Sequence, residues 1–134
     1  MAPRVTIQAD LCNRPYDHEM TVAIIMANFF RTDVIFLRPN KNKTPDLEIN
    51  GELWEIKSPK GGSKKTIENN LRNAKKHSQN VVLDLQRCKL PLNQAIARTN
   101  FFLKGPHSFK KFLIISKSQE VRVILPIDKV GEKP

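Results

Sequence analysis

An Asn-Gly pair at Asn50 and Gly51 separates two extended runs, Pro45 to Ile49 and Glu52 to Ser58, and constrains the fold of this chain more than any other feature. A two-residue loop of this kind places both residues at positive φ, which Asn and Gly tolerate, so the pair predicts a tight type I′ hairpin. The loop then sets the register: Ile49 faces Glu52, Glu48 faces Leu53, Leu47 faces Trp54 and Asp46 faces Glu55. Because side chains alternate along a strand, Asp46, Glu55 and Lys57 are expected on one face, while Leu47, Ile49, Trp54 and Ile56 supply core on the other. By that register Trp54 is a core residue rather than a platform for base stacking.

The flanking segments read as an alternation of helices and strands. Asp17 to Phe30 carries Met20, Ala23, Ile24, Ala27 and Phe30 at spacings of three and four, which predicts a helix with Asp17 available as its N-cap. Asp33 to Leu37 is a short apolar run rich in strand formers, followed by a polar loop from Asn40 to Thr44. Beyond the breakers Pro59, Gly61 and Gly62, a second amphipathic helix is expected from about Thr66 to Ser78, with Ile67, Leu71 and Ala74 on one face. Val81 to Leu85 reads as a core strand, Leu92 to Leu103 as a third helix, and Lys111 to Ser116 with Glu120 to Leu125 as a final hairpin. Met1 to Tyr16 has no clear period and reads as a short strand or an arm. The expected class is α/β, one domain over residues 1–134 with a central mixed β-sheet flanked by helices.

Charge narrows the partners. Lys and Arg number 23 against 13 Asp and Glu, a formal net charge of +10, which favours a polyanion. No apolar run approaches the roughly 20 residues that span a bilayer and no lipidation signal appears, so nucleic acid is preferred to a membrane. Cys12 and Cys88 lack companions at metal-ligand spacing, which argues against a disulfide framework or a zinc knuckle. The N-terminus, MAPRVTIQAD, lacks the pattern of a secretory signal, so the expectation is a cytoplasmic protein or a domain cut from a longer chain.

The hairpin face carries the candidate chemistry. Directly opposed Cβ atoms lie about 4.5–5.5 Å apart, and two carboxylates at that separation repel unless a proton or cation sits between them. Oxygen-only ligands such as Asp46 and Glu55 suit Mg²⁺ or Mn²⁺, with Zn²⁺ as a further candidate. Lys57 cannot ligate while protonated, but it can neutralise a phosphate or position an attacking water. Glu19 shares a helical stripe with Ala23, Met26 and Phe30, so it points toward the core side and is a third candidate ligand. The bland readings are a solvated face with Lys57 paired to Glu55 or Asp46, and a Glu19 that serves the helix dipole. Lys60, Lys64, Lys65, Lys75 and Lys76 form a candidate phosphate-binding set, or an ordinary basic surface. His18, His77 and His107 invite a metal-free ribonuclease reading, although nothing in the sequence brings two of them together.

The run PDLEINGELWEIK, from Pro45 to Lys57, resembles the signature of the PD-(D/E)XK nuclease superfamily, and Glu19 on the preceding helix also fits that pattern. The resemblance implies a restriction-endonuclease-like core, α-β-β-β-α-β, with an added helix and a C-terminal β-hairpin. It also implies metal ligation by Asp46 and Glu55, metal or water contact by Glu19, and charge stabilisation or water activation by Lys57. The small basic chain, with WEIKSPKGG followed by a Lys-rich helix, further resembles the C-terminal toxin nucleases of contact-dependent growth inhibition systems. That resemblance implies an endonuclease acting on tRNA or DNA in the bacterial cytoplasm, delivered as part of a surface toxin and met by a cognate immunity protein. A mobile-element or housekeeping nuclease, a non-catalytic nucleic-acid-binding module, a metal-free RNase toxin and a structural adaptor stay open as alternatives.

Overall fold

In the computed structural model, which describes residues 3–8, 15–37 and 45–125, Asn50 and Gly51 take φ of 52° and 79°. These are the paired positive values of a type I′ turn. The strands it joins, β3 (Leu47–Ile49) and β4 (Glu52–Lys57), pair in the expected register for Leu47 with Trp54, Glu48 with Leu53, and Ile49 with Glu52. Leu47, Ile49 and Trp54 are buried, as the alternation requires.

The hairpin belongs to one seven-stranded sheet whose spatial order is the chain order. Val5–Ile7 forms β1, so the opening segment supplies a strand, parallel to β2 (Val34–Phe36). Strand β2 runs antiparallel to β3, β4 is parallel to β5 (Asn80–Asp84), and β5 is parallel to β6 (Lys111–Ile115). An antiparallel edge strand, β7 (Val121–Leu125), completes the sheet. The helices are α1 (Asp17–Phe30), α2 (Thr66–Ala74) and α3 (Leu92–Lys104). The expected mixed sheet, flanking helices and terminal hairpin are therefore present, and the series α1-β2-β3-β4-α2-β5 has the α-β-β-β-α-β order. The predicted loop over residues 40–44 lies outside the described residues, as does Cys12, while Cys88 is a buried free thiol.

Two apolar layers sandwich the sheet. Val22, Ala23, Met26 and Ala27 of α1 pack on Leu47, Ile49, Trp54, Ile56 and Val82. On the other face Ile67, Leu71 and Ala74 of α2 and Ala95 of α3 pack on Val81, Leu83, Phe112 and Ile114. Burying side chains of this size contributes roughly 1.5–3 kcal/mol each. Three local expectations are corrected. Ile24 is half exposed, because α1 turns Val22 and Met26 to the sheet instead. Helix α1 begins at Asp17 with Tyr16 at its N-cap, since Glu19 Oε1 accepts the Tyr16 N–H at 2.9 Å. Helix α2 ends at Ala74 rather than near Ser78, where Ser78 Oγ instead donates to the Leu53 carbonyl at 2.9 Å and ties the chain back to β4.

Candidate active site

The site grows from the point where the first hairpin loses its regular pairing. Asp46 N–H donates to the Trp54 carbonyl at 3.0 Å, and Asp46 Oδ2 accepts the Ile56 N–H at 2.8 Å. The expected pairing of Asp46 opposite Glu55 is thus not a rung of the ladder, because the Asp46 carboxylate has taken the place of a backbone acceptor for β4. The side chain still arrives close enough to Glu55 for the two carboxyl groups to shift each other's ionisation.

Glu55 and Lys57 lie side by side in register with Val81 and Leu83, on the face covered by α2. Glu55 is only 7% exposed, so the solvated hairpin face is excluded as a description. The pairing proposed in that reading is nonetheless present, with Lys57 Nζ 3.1 Å from Glu55 Oε2 and donating also to Asn73 Oδ1 of α2. Burial, and then the neighbouring Glu55, push the Asp46 carboxyl from 3.8 up to about 7. Burial likewise raises Glu55, against the lowering effect of Lys57. Two carboxyls pressed together out of water retain a proton near neutral pH or exchange it for a cation.

Glu19 approaches from α1, the helix on the opposite face of the sheet, and its negative charge raises both carboxyls. It lines a cleft of about 610 Å³ together with Tyr16, His18, Ile56, Lys57, Ser58, Lys60 and Arg87. The cleft wraps around the C-terminal end of β4, so residues from both faces meet there. Glu19 also keeps its first-turn duty through the bond to Tyr16. Among the described residues no three His, Cys, Asp or Glu side chains gather as a metal cluster, so the trio Glu19, Asp46 and Glu55 is not a ready-made cage. The Asp46 and Glu55 pair alone fits a hard cation that keeps most of its waters, since its donors are all oxygen and its charge is uncompensated by Lys57 alone.

The five candidate lysines do not gather. Lys60 lines the cleft, Lys64 and Lys65 are exposed before α2, and Lys75 lies 6.0 Å from the Phe102 ring in a separate groove, followed by exposed Lys76. His18 is in the cleft, its ring stacked 5.7 Å from Tyr16, whereas His107 Nδ1 accepts the Phe109 N–H at 3.1 Å. Sequence reasoning missed Asn73, Ser58 and Arg87. Asn73 had a usable signal, an amide beside the apolar stripe of a short helix; Arg87 had none, because its place depends on how two loops meet.

Fold and site together define a small α/β domain with a buried acidic pair braced by a lysine that lines a basic cleft. Residues 43–121 match the profile of the contact-dependent growth inhibition CdiA C-terminal domain, and the chain belongs to that family, a growth-inhibiting toxin domain. It is also similar in fold to a solved structure described as the CdiA-CT/CdiI toxin and immunity complex from Burkholderia pseudomallei, with a TM-score of 0.63 over 92% of this chain and 99% of that one, at 20% identity. No curated protein matches the chain. Among the described residues no helix is long and apolar enough to cross a membrane.

Proposed function

We propose that this toxin domain is a metal-dependent endonuclease of the PD-(D/E)XK type that hydrolyses nucleic-acid phosphodiesters. The observation that carries the reading is the buried Asp46–Glu55 carboxyl pair, whose Glu55 is ion-paired to Lys57, a residue that itself lines the basic cleft. A domain that merely bound a polyanion would gain nothing from acidic groups aimed at it. Asp46 and Glu55 would hold Mg²⁺ or Mn²⁺, which would supply an activated water and neutralise charge on the phosphate. Ile56 N–H fixes the Asp46 carboxylate, Glu55 holds the Lys57 ammonium, and Asn73 steadies that ammonium from the far side. Lys57 then meets the negative charge that grows on the phosphoryl oxygens, and Glu19 orients water at the rim. The substrate is tRNA or DNA. The toxin is delivered into a target cell as part of a surface protein, and an acidic cognate immunity protein answers its charge of +10.

A metal-free RNase reading is favoured by one observation, the presence of His18 in the same cleft as Lys57 and Arg87. Both readings are tested by incubating the chain with tRNA, single-stranded RNA and duplex DNA, each with Mg²⁺, Mn²⁺, Zn²⁺ or EDTA. Cleavage that needs a metal and is abolished in Asp46→Asn supports the endonuclease. Cleavage that survives EDTA and Asp46→Asn but is lost in His18→Ala favours the other.

A further inference from the structure

Two loops that the proposed reaction leaves unused are clasped together at the cleft. One follows β4 and carries Ser58 and Lys60; the other follows β5 and carries Arg87. Arg87 Nε donates to Ser58 Oγ at 3.2 Å and its Nη2 donates to the Ser58 carbonyl at 2.9 Å. Ser58 Oγ in turn donates to Asp84 Oδ2 at 2.9 Å, and Asp84 is fully buried at the end of β5. The other oxygen of Asp84 accepts the Gln86 backbone N–H at 3.1 Å and its side-chain amide at 2.9 Å. Gln86 accepts a bond of 3.0 Å from Gln119, in the turn between β6 and β7. Further along, the Gly61 carbonyl accepts both the Lys89 N–H at 3.2 Å and the Cys88 thiol at 3.3 Å.

This network spends a buried carboxylate on orienting one guanidinium. Asp84 does not neutralise Arg87 directly, since Ser58 stands between them, and among the described residues no carboxylate pairs with Arg87. Arginine carries five N–H donors in a rigid fork, and the bonds to Ser58 engage only one edge of it. An arginine so braced, in a cleft shared with Lys57 and Lys60, fits a phosphodiester oxygen pair better than a mobile surface charge would.

We propose that Arg87, positioned by Ser58 and Asp84, binds a non-scissile phosphate of the nucleic-acid strand and so sets the register of the substrate at the acidic pair. The inference rests on the nuclease reading for its substrate class but concerns binding rather than cleavage. The test uses the full chain carrying Asp46→Asn and fluorescent single strands of RNA and of DNA, with affinity measured over a range of salt. Adding Arg87→Gln is expected to weaken binding about tenfold and to reduce the slope of log affinity against log salt by about 1. Arg87→Lys, which keeps the charge but not the fork, falls between the two. Ser58→Ala, which leaves net charge unchanged, weakens binding severalfold by releasing the guanidinium.

Parallel melting curves identify any variant that fails to fold, in which case Arg87→Lys and Ser58→Ala carry the test. Affinity and salt slope unchanged in all folded variants would overturn the inference, as would a parent chain that binds neither strand. The same Arg87 substitutions in the otherwise unaltered chain separate this from the reaction. Cleavage with KM and kcat unmoved in Arg87→Gln sinks the arginine and leaves the nuclease. Arg87-dependent binding by a chain that cuts nothing with any metal sinks the nuclease and leaves the arginine.

Discussion

Asp46 Oδ2 accepts the Ile56 N–H at 2.8 Å, so a side chain completes the hairpin ladder where the backbone of β3 has left it. The bond fixes the carboxylate from a strand in the middle of the sheet. A carboxyl anchored in this way is placed by sheet geometry rather than by a flexible loop, which is the preorganisation that the proposed reaction would need.

The metal-free fold should lose stability as pH rises. In the unfolded chain the Asp46 carboxyl ionises near 3.8, while in the folded chain it holds its proton to about 7. Between those values the folded state binds more protons, so unfolding free energy falls with rising pH and levels off above about 7. Urea midpoints in EDTA across this range will show that slope, and Asp46→Asn will flatten it. Divalent-cation affinity should run the opposite way, rising with pH up to about 7, because the cation displaces the shared proton.

Lys57→Met removes the ammonium that lies 3.1 Å from the buried Glu55. Leaving that carboxyl without its cation should cost about 1–3 kcal/mol at neutral pH and lower nuclease turnover by more than about a hundredfold. Chemical denaturation and single-turnover cleavage read the two effects separately. Full turnover in this variant removes Lys57 from the reaction.

Glu19 serves the α1 cap and the cleft at once, and two substitutions divide those duties. Glu19→Gln retains the cap bond, so its melting temperature should stay within about 2 °C of the parent while kcat drops roughly tenfold. Glu19→Ala loses both and should unfold with about 1 kcal/mol less free energy.

Gly51→Ala probes the turn alone. A Cβ at this position meets nothing within 4 Å, but φ is +79°, so the cost is backbone strain of about 1–2 kcal/mol. Activity per folded molecule, measured well below the melting temperature, should remain at the parent level. A loss of activity beyond the loss of folded protein would mean that the turn steers the carboxyl pair dynamically.

Local rules carried the reading of the hairpin because loop chemistry and alternation act over a few residues. Asn50-Gly51 set the register of Leu47 with Trp54, and the helix over Asp17–Phe30 had the bounds its period implied. The same rules went wrong at Asp46, where a side chain replaced a backbone acceptor, and at Ile24, where the rotation of α1 on the sheet chose a different stripe. Arg87 and Asn73 depend on the meeting of β5, α2 and the segment after β4, which are brought together only by parallel pairing over some 25 residues. Nearness of the lysines in sequence does not translate into one shared surface for a related reason, since Lys60 and Lys75 lie at opposite ends of the segment that includes α2 and reach different grooves.

Each strand after the first lies beside its immediate predecessor in the chain. A sheet ordered in this way can be laid down from one end, every arriving strand finding its template already in place, across a tight turn at the hairpins and a helical crossover between parallel neighbours. A polypeptide that emerged N-terminus first from a narrow passage could therefore regain its shape progressively, with the acid-bearing hairpin seated before the arginine loop docks and makes the groove whole.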